Sequence, residues 1–171
     1  MRTKRFSLLV VVFIVLAVAA AAWARAYVIG ASSFNSNGAS ISGWRWLRSS
    51  GNTATWTFSA SELQGAKKVY INFNPLVTNG VDGGSGYDAT VKYTITGSKK
   101  HTGTINAVNP FRPTDPANSG GVGYQCYGHS GEIPSNVFKG AHSLQVTISY
   151  PVTGGKHVAV NIGCISIGYS R

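Results

Sequence analysis

The chain has 171 residues, 15 Lys+Arg against 5 Asp+Glu, a formal net charge of +10, and 21 glycines beside only two cysteines. That length suits one domain, its 43% hydrophobic and 11% aromatic content excludes disorder, and two cysteines exclude a disulfide-dense miniprotein. Abundant glycine with few carboxylates points to an all-β chain.

Arg2, Lys4 and Arg5 precede an uncharged apolar run over residues 6–24, which ends in Ala24-Arg25-Ala26. Basic start, apolar middle and small residues at the exit form the three-part pattern of a secretory signal. It predicts a signal peptide over residues 1–26 and a mature domain over 27–171, secreted or held at the cell surface. The competing reading is an uncleaved anchor, since a run of this length can span a bilayer, and a membrane partner is expected only in that case. Removing Arg2, Lys4, Arg5 and Arg25 takes the net charge from +10 to +6. The remainder should bury about two-thirds of its unfolded surface, enough for one core.

Residues 27–51 are rich in Ser, Asn and Gly and read as a loosely patterned segment containing Trp44-Arg45-Trp46-Leu47. Residues 54–59 then alternate, with Trp56 and Phe58 on one face. Residues 61–65 read as a short helical turn ended by Gly65. Val69, Ile71 and Phe73 share the face of a strand over 68–73. Residues 79–86 form a Gly-rich loop. Ala89, Val91, Tyr93 and Ile95 share a strand face, Gly97-Ser98-Lys99-Lys100 reads as a hairpin turn, and a weaker strand returns over 101–108. A long loop with Pro110, Pro113 and Pro116 leads to a short strand over 122–127. Leu144, Val146, Ile148 and Tyr150 mark a strong strand. The last segment, 157–169, switches its apolar phase at Gly163-Cys164, which predicts a bulge or a change of burial pattern. No stretch after residue 26 has a helical apolar period. Eight or nine short strands with turns between them predict an antiparallel β-sandwich.

Cys126 and Cys164 both fall in the exported part and are expected to pair in an oxidising compartment. Closing a loop of about 39 residues would contribute roughly 4 kcal/mol in the chain-entropy model.

The run Trp56-Thr57-Phe58, the Gly-Ala-Lys-Lys turn, Val-Tyr-Ile-Asn-Phe over 69–73 and Ala-Thr-Val-Lys-Tyr-Thr-Ile over 89–95 come in that order. Gly140-Ala141, Leu-Gln-Val-Thr-Ile over 144–148 and Ile-Ser-Ile over 165–167 follow. This succession resembles secreted jelly-roll domains of the galactose-binding-like, carbohydrate-binding-module type, over about residues 54–170. The resemblance implies a jelly-roll-like sandwich and glycan binding, and it carries no ligand residue across.

No catalytic constellation is present in the sequence. The mature carboxylates Glu62, Asp82, Asp88, Asp115 and Glu132 include only Asp82 and Asp88 as near neighbours, whereas glycoside hydrolysis needs two facing across a cleft. His101, His129, His142 and His157 lack zinc-enzyme spacing. Gly128-His129-Ser130-Gly131 lacks the G-x-S-x-G elbow and a following helix. The expectation is a non-enzyme without a cofactor. The oxygen donors Asp82 and Asp88 make the 79–88 loop a candidate for structural Ca²⁺, against the plain alternative of a solvated turn.

The aromatic residues are the better binding candidates. Trp44 and Trp46, two apart, would project to one face of a strand, and Tyr87, Tyr124 and Tyr127 lie in or near Gly-rich loops. Exposed rings with polar edges stack on sugar faces; the plain alternative is core tryptophans and rim tyrosines. Lys67-Lys68, Lys99-Lys100, Arg45 and Arg48 are scattered, which excludes a nucleic-acid stripe and fits a salt-sensitive association with envelope polymers. Two functions therefore compete. One is a non-catalytic module that binds extracellular or cell-envelope polysaccharide. The other is an adhesin or filament subunit that self-associates, with residues 27–43 extending to a neighbour's sheet edge. An unrecognised secreted enzyme is the remote third.

Overall fold

The computed structural model describes residues 26–78, 88–108, 124–150 and 157–171. The expected signal segment lies outside these residues, apart from Ala26. Among the described residues the chain is an antiparallel β-sandwich. Its strands are β1 (Ala26–Gly30), β2 (Ser33–Ser36), β3 (Ala39–Ile41), β4 (Trp44–Leu47), β5 (Thr53–Ser59), β6 (Lys68–Phe73) and β7 (Leu76–Thr78). They continue with β8 (Ala89–Thr96), β9 (Lys100–Ala107), β10 (Tyr124–Gln125), β11 (Gly128–His129), β12 (Ser143–Ser149), β13 (His157–Val160) and β14 (Ile165–Ser170). One helical turn, α1 (Ser135–Phe138), and 3-10 turns at Ser61–Leu63 and Ile162–Cys164 complete the set.

One layer is the sheet β2-β5-β12-β8-β9. The other is built from two sheets, β1-β14-β6-β11 and β10-β7-β13-β4-β3. Three stretches of chain run through both of the latter, as β6 to β7, β10 to β11 and β13 to β14. The ladder also continues across the breaks, where Asn74 N–H donates to Cys164 O at 2.8 Å and Cys126 N–H donates to Pro75 O at 2.9 Å. Pro75 has no N–H, which is why the β6–β7 strand breaks there. The two sheets thus form one bent layer.

The strong sequence periods become the core. Trp56, Phe58, Val69, Ile71, Phe73, Val91, Ile95, Leu144, Val146 and Ile148 are all completely buried between the layers. The layers also meet at a seam, where Val108 and Tyr127 exchange both N–H···O bonds at 2.9 Å. Gly128 beside that seam has no room for a side chain, since a Cβ there would lie 2.5 Å from Asn106 O.

Two expectations are corrected and a third takes a specific form. Residues 27–51, read as loose, hold β1 to β4. These strands are three to five residues long, too short for a period-2 pattern to emerge, and β3–β4 turns on Ser42 and Gly43 at φ of 50° and 79°. Positive φ at both central residues of a two-residue loop is the type I′ signature. The apolar switch at Gly163-Cys164 is a 3-10 turn capped by Asn161, whose side chain accepts from Gly163 N–H at 2.9 Å.

The expected Cys126–Cys164 disulfide does not form; both residues are buried. Phe73 of β6 faces Ile165 on one side and Gly128 on the other, so the two cysteine-bearing segments flank the same strand. They are separated by two strand spacings, about 9.5 Å, whereas a disulfide needs Cα atoms within about 7 Å. The Cys164 thiol instead accepts from Asn161 N–H at 3.3 Å and donates to Asn161 Oδ1 at 3.4 Å. Burial pushes its pKa up to about 11.

Candidate functional site

The register of the bent layer builds one continuous row across its outward face. Ala39 of β3 faces Trp46 of β4, Trp46 faces Ala159 of β13, Ala159 faces Leu76 of β7, and Leu76 faces Gln125 of β10. Leu47, the next residue after Trp46, is completely buried in the core, so strand alternation sends Trp46 outward. Ala159 is also completely buried, yet it lies outside the main core cluster. Trp46 and Leu76 on either side of it are half-buried.

Two neighbours and the Trp46 N–H itself give the row its polar character. The Arg48 guanidinium lies 5.2 Å from the centroid of the Trp46 ring, a cation–π distance. His157, two residues before Ala159, shares its face, and its pKa is lowered by burial and then by the charge of Arg48. It is therefore a neutral imidazole at pH 7, able both to donate and to accept. The Trp46 indole N–H is buried and has no hydrogen-bond acceptor among the described residues.

Trp44, two residues earlier on the same strand phase as Trp46, is also half-buried, yet at this end of β4 it touches the core cluster, while its cross-strand partner Ile41 is 42% exposed. Trp56 is structural as expected, fully buried with its indole N–H donating to Asn161 O at 2.9 Å. Tyr127 is 48% exposed at the seam. It sits on the far edge of the sheet, three strand spacings or about 14 Å from Trp46, so the structure does not bring it to the tryptophan. Tyr87 and Asp82 lie outside the described residues. Tyr124 pairs with Val77 through its backbone, and its ring is likewise outside them. Asp88 is half-buried just before β8. Among the described residues no three His, Cys, Asp or Glu gather into a metal-ligating group.

Ser130 is no nucleophile in this setting. It is buried, its Oγ donates to Gly131 O at 2.6 Å, and it accepts from Ile71 N–H at 2.9 Å. A hollow of about 290 Å³ at one rim is lined by Ser61, Gln64, Gly140, Ala141 and His142. Gln64 is fully engaged there, donating to Ala60 O and Ala141 O and accepting from Gly140 N–H. It clamps the turn after α1 to the turn after β5.

Arg48, His157, Leu76, Ala159 and Gln125 were not singled out together from the sequence. Cross-strand register is what unites them, and only the outward phase of Trp46 against Leu47 hinted at it.

No protein-family model matches the chain, and a search of curated proteins finds no relative.

Proposed function

We propose that this chain is an exported, non-catalytic β-sandwich that binds extracellular or cell-envelope carbohydrate through the outward face of the bent layer. The observation that carries this reading is Trp46, directed outward by strand alternation and flanked by the Arg48 guanidinium. A ring in that position stacks on a sugar face. Arg48 and neutral His157 supply donors and an acceptor beside it. Carbohydrate binding uses this combination of one apolar platform and a few polar groups.

The test is affinity electrophoresis of the purified protein through gels containing neutral and acidic polysaccharides. At least one polysaccharide that slows the parent should no longer slow Trp46→Ala, while Trp46→Phe stays retarded. Equal retardation of Trp46→Ala and the parent by every such polysaccharide removes this face from the reading. Export is checked by N-terminal sequencing of the secreted product, which should begin at Tyr27; a start at Met1 would support the anchor instead.

Self-association stays as a second reading on one observation. β1 forms the edge of its sheet, carries no charge, and leaves Val28 68% exposed, the profile of an edge open to another strand. Residues 27–41 already pair within the chain, so association would use this edge and not a donated arm. Light scattering at high concentration should show a dimer that Val28→Lys disperses; a monomer throughout removes the reading.

A further inference from the structure

The outward face of the other layer has a composition that ordinary solubility does not explain. Strands β2, β5, β8, β9 and β12 present eighteen outward positions. Nine are Thr, four Ser, two Asn and one Gln, and the remaining two are Lys92 and Lys100. A typical soluble surface is about 25–35% charged with both signs mixed. Here two of eighteen are charged, both positive, and none of the eighteen is a carboxylate, an aromatic or an aliphatic. The nearest carboxylate in register is Asp88, just before β8.

The hydroxyls form a grid. The central row runs Asn35, Thr55, Thr147, Thr94, Thr102 across all five strands. Neighbours stand about 4.8 Å apart across strands and about 6.7 Å apart along them. Part of the grid is already locked, with Thr55 Oγ1 2.9 Å from Thr147 Oγ1 and Thr90 Oγ1 donating to Asn106 Oδ1 at 3.2 Å. Threonine has a stiff χ1, so little side-chain freedom remains to be lost on binding.

These properties select the ligand. Eighteen strand positions without a ring among them cannot stack on a single sugar. They can meet a long, extended polymer through many weak, regularly spaced hydrogen bonds. The side chains are rich in donors, two of them cationic ammonium groups that only donate. The complementary polymer is rich in acceptors and negatively charged. We propose that this hydroxyl face, centred on the β8–β9 hairpin with Lys92 and Lys100, binds an extended acidic polysaccharide of the polyuronate type. The proposal rests on the carbohydrate reading above but uses the layer opposite Trp46.

The test is retardation of the purified protein in gels containing polygalacturonate or its methyl-esterified, neutral form. The acidic polymer should retard the protein more strongly than the ester. The double variant Thr94→Val/Thr102→Val keeps side-chain shape and strand preference while removing two hydrogen-bonding groups. It should weaken retention about tenfold. Lys92→Gln/Lys100→Gln should weaken retention most at low salt. Trp46→Ala should leave retention of polygalacturonate in place.

Loss in Trp46→Ala with no effect of the threonine pair overturns the proposal and leaves the carbohydrate reading standing. Equal weakening by the off-face pair Lys68→Gln/Lys139→Gln overturns it as mere charge attraction. Adsorption to ice without retention by either polymer, or a dimer that the threonine pair disrupts, overturns it in favour of those occupants. No interaction with any polysaccharide overturns both readings.

Discussion

Two buried indole N–H groups in this chain meet opposite fates, one with an acceptor and one without. Trp56 donates to Asn161 O, so Trp56→Phe leaves a backbone carbonyl without its donor and should cost about 1–3 kcal/mol in urea unfolding. Trp46 has no acceptor for its buried N–H, so Trp46→Phe removes an unsatisfied group and should leave stability within about 0.5 kcal/mol of the parent. The Cys164 thiol, raised to about 11 by burial, should resist iodoacetamide at pH 8 in the folded protein and react once urea unfolds it. The same shift sets a pH dependence. The folded state favours the neutral thiol, so its stabilisation is complete below pH 9 and is lost as pH rises toward about 11. Tyr93 and Tyr169, also raised chiefly by burial, act with the same sign. The unfolding midpoint should therefore fall across the alkaline range, and less steeply in Cys164→Ala. The burial of Trp56 was legible from its alternation with Phe58. The fate of the cysteines was not, because pairing depends on strand order and not on compartment or spacing.

At the scale of elements, strands of six to eight residues declared themselves. β5, β6, β8 and β12 carry clean alternation, and the Gly97 turn joins β8 to β9 where the turn residues placed it. β1 to β4 stayed hidden because each is shorter than the window that reveals a period. The break between β13 and β14 was partly legible, through the phase switch at Cys164, whereas β7 beyond Pro75 was not read at all. The capping geometry of Asn161 was not visible, since it requires the folded turn. Close approach between strands makes a sharp prediction at Gly103, which faces Tyr93 across the hairpin. A Cβ there would lie 2.6 Å from the Tyr93 hydroxyl oxygen, so Gly103→Ala should displace the ring and cost about 1–3 kcal/mol. Gly30→Ala is the control, because nothing lies within 4 Å of a Cβ at that position. Its unfolding midpoint should match or slightly exceed the parent's.

On the scale of the whole molecule, the sandwich presents two outward faces of different chemistry. The bent layer carries Trp46, Arg48 and neutral His157; the opposite layer carries hydroxyls and two lysines. Neither face was legible as a face in the sequence, although the Thr-x-Thr spacing of β5, β8 and β9 was in plain sight, because a face is assembled by register across five strands. The net charge was a poor guide to either one. Four basic residues belong to the predicted signal, and the mature surplus is dispersed over strands and turns, with Arg45, Lys68, Lys92 and Lys100 on four different strands. Whether the Trp46 face binds carbohydrate is decided by affinity electrophoresis against a panel of polysaccharides for the parent, Trp46→Phe and Trp46→Ala, with unfolding midpoints recorded for all three. Carbohydrate binding at this face requires at least one ligand that slows the parent and Trp46→Phe but not a folded Trp46→Ala. Equal mobility of all three in every gel, or equal retardation of all three by every polysaccharide that slows the parent, refutes it.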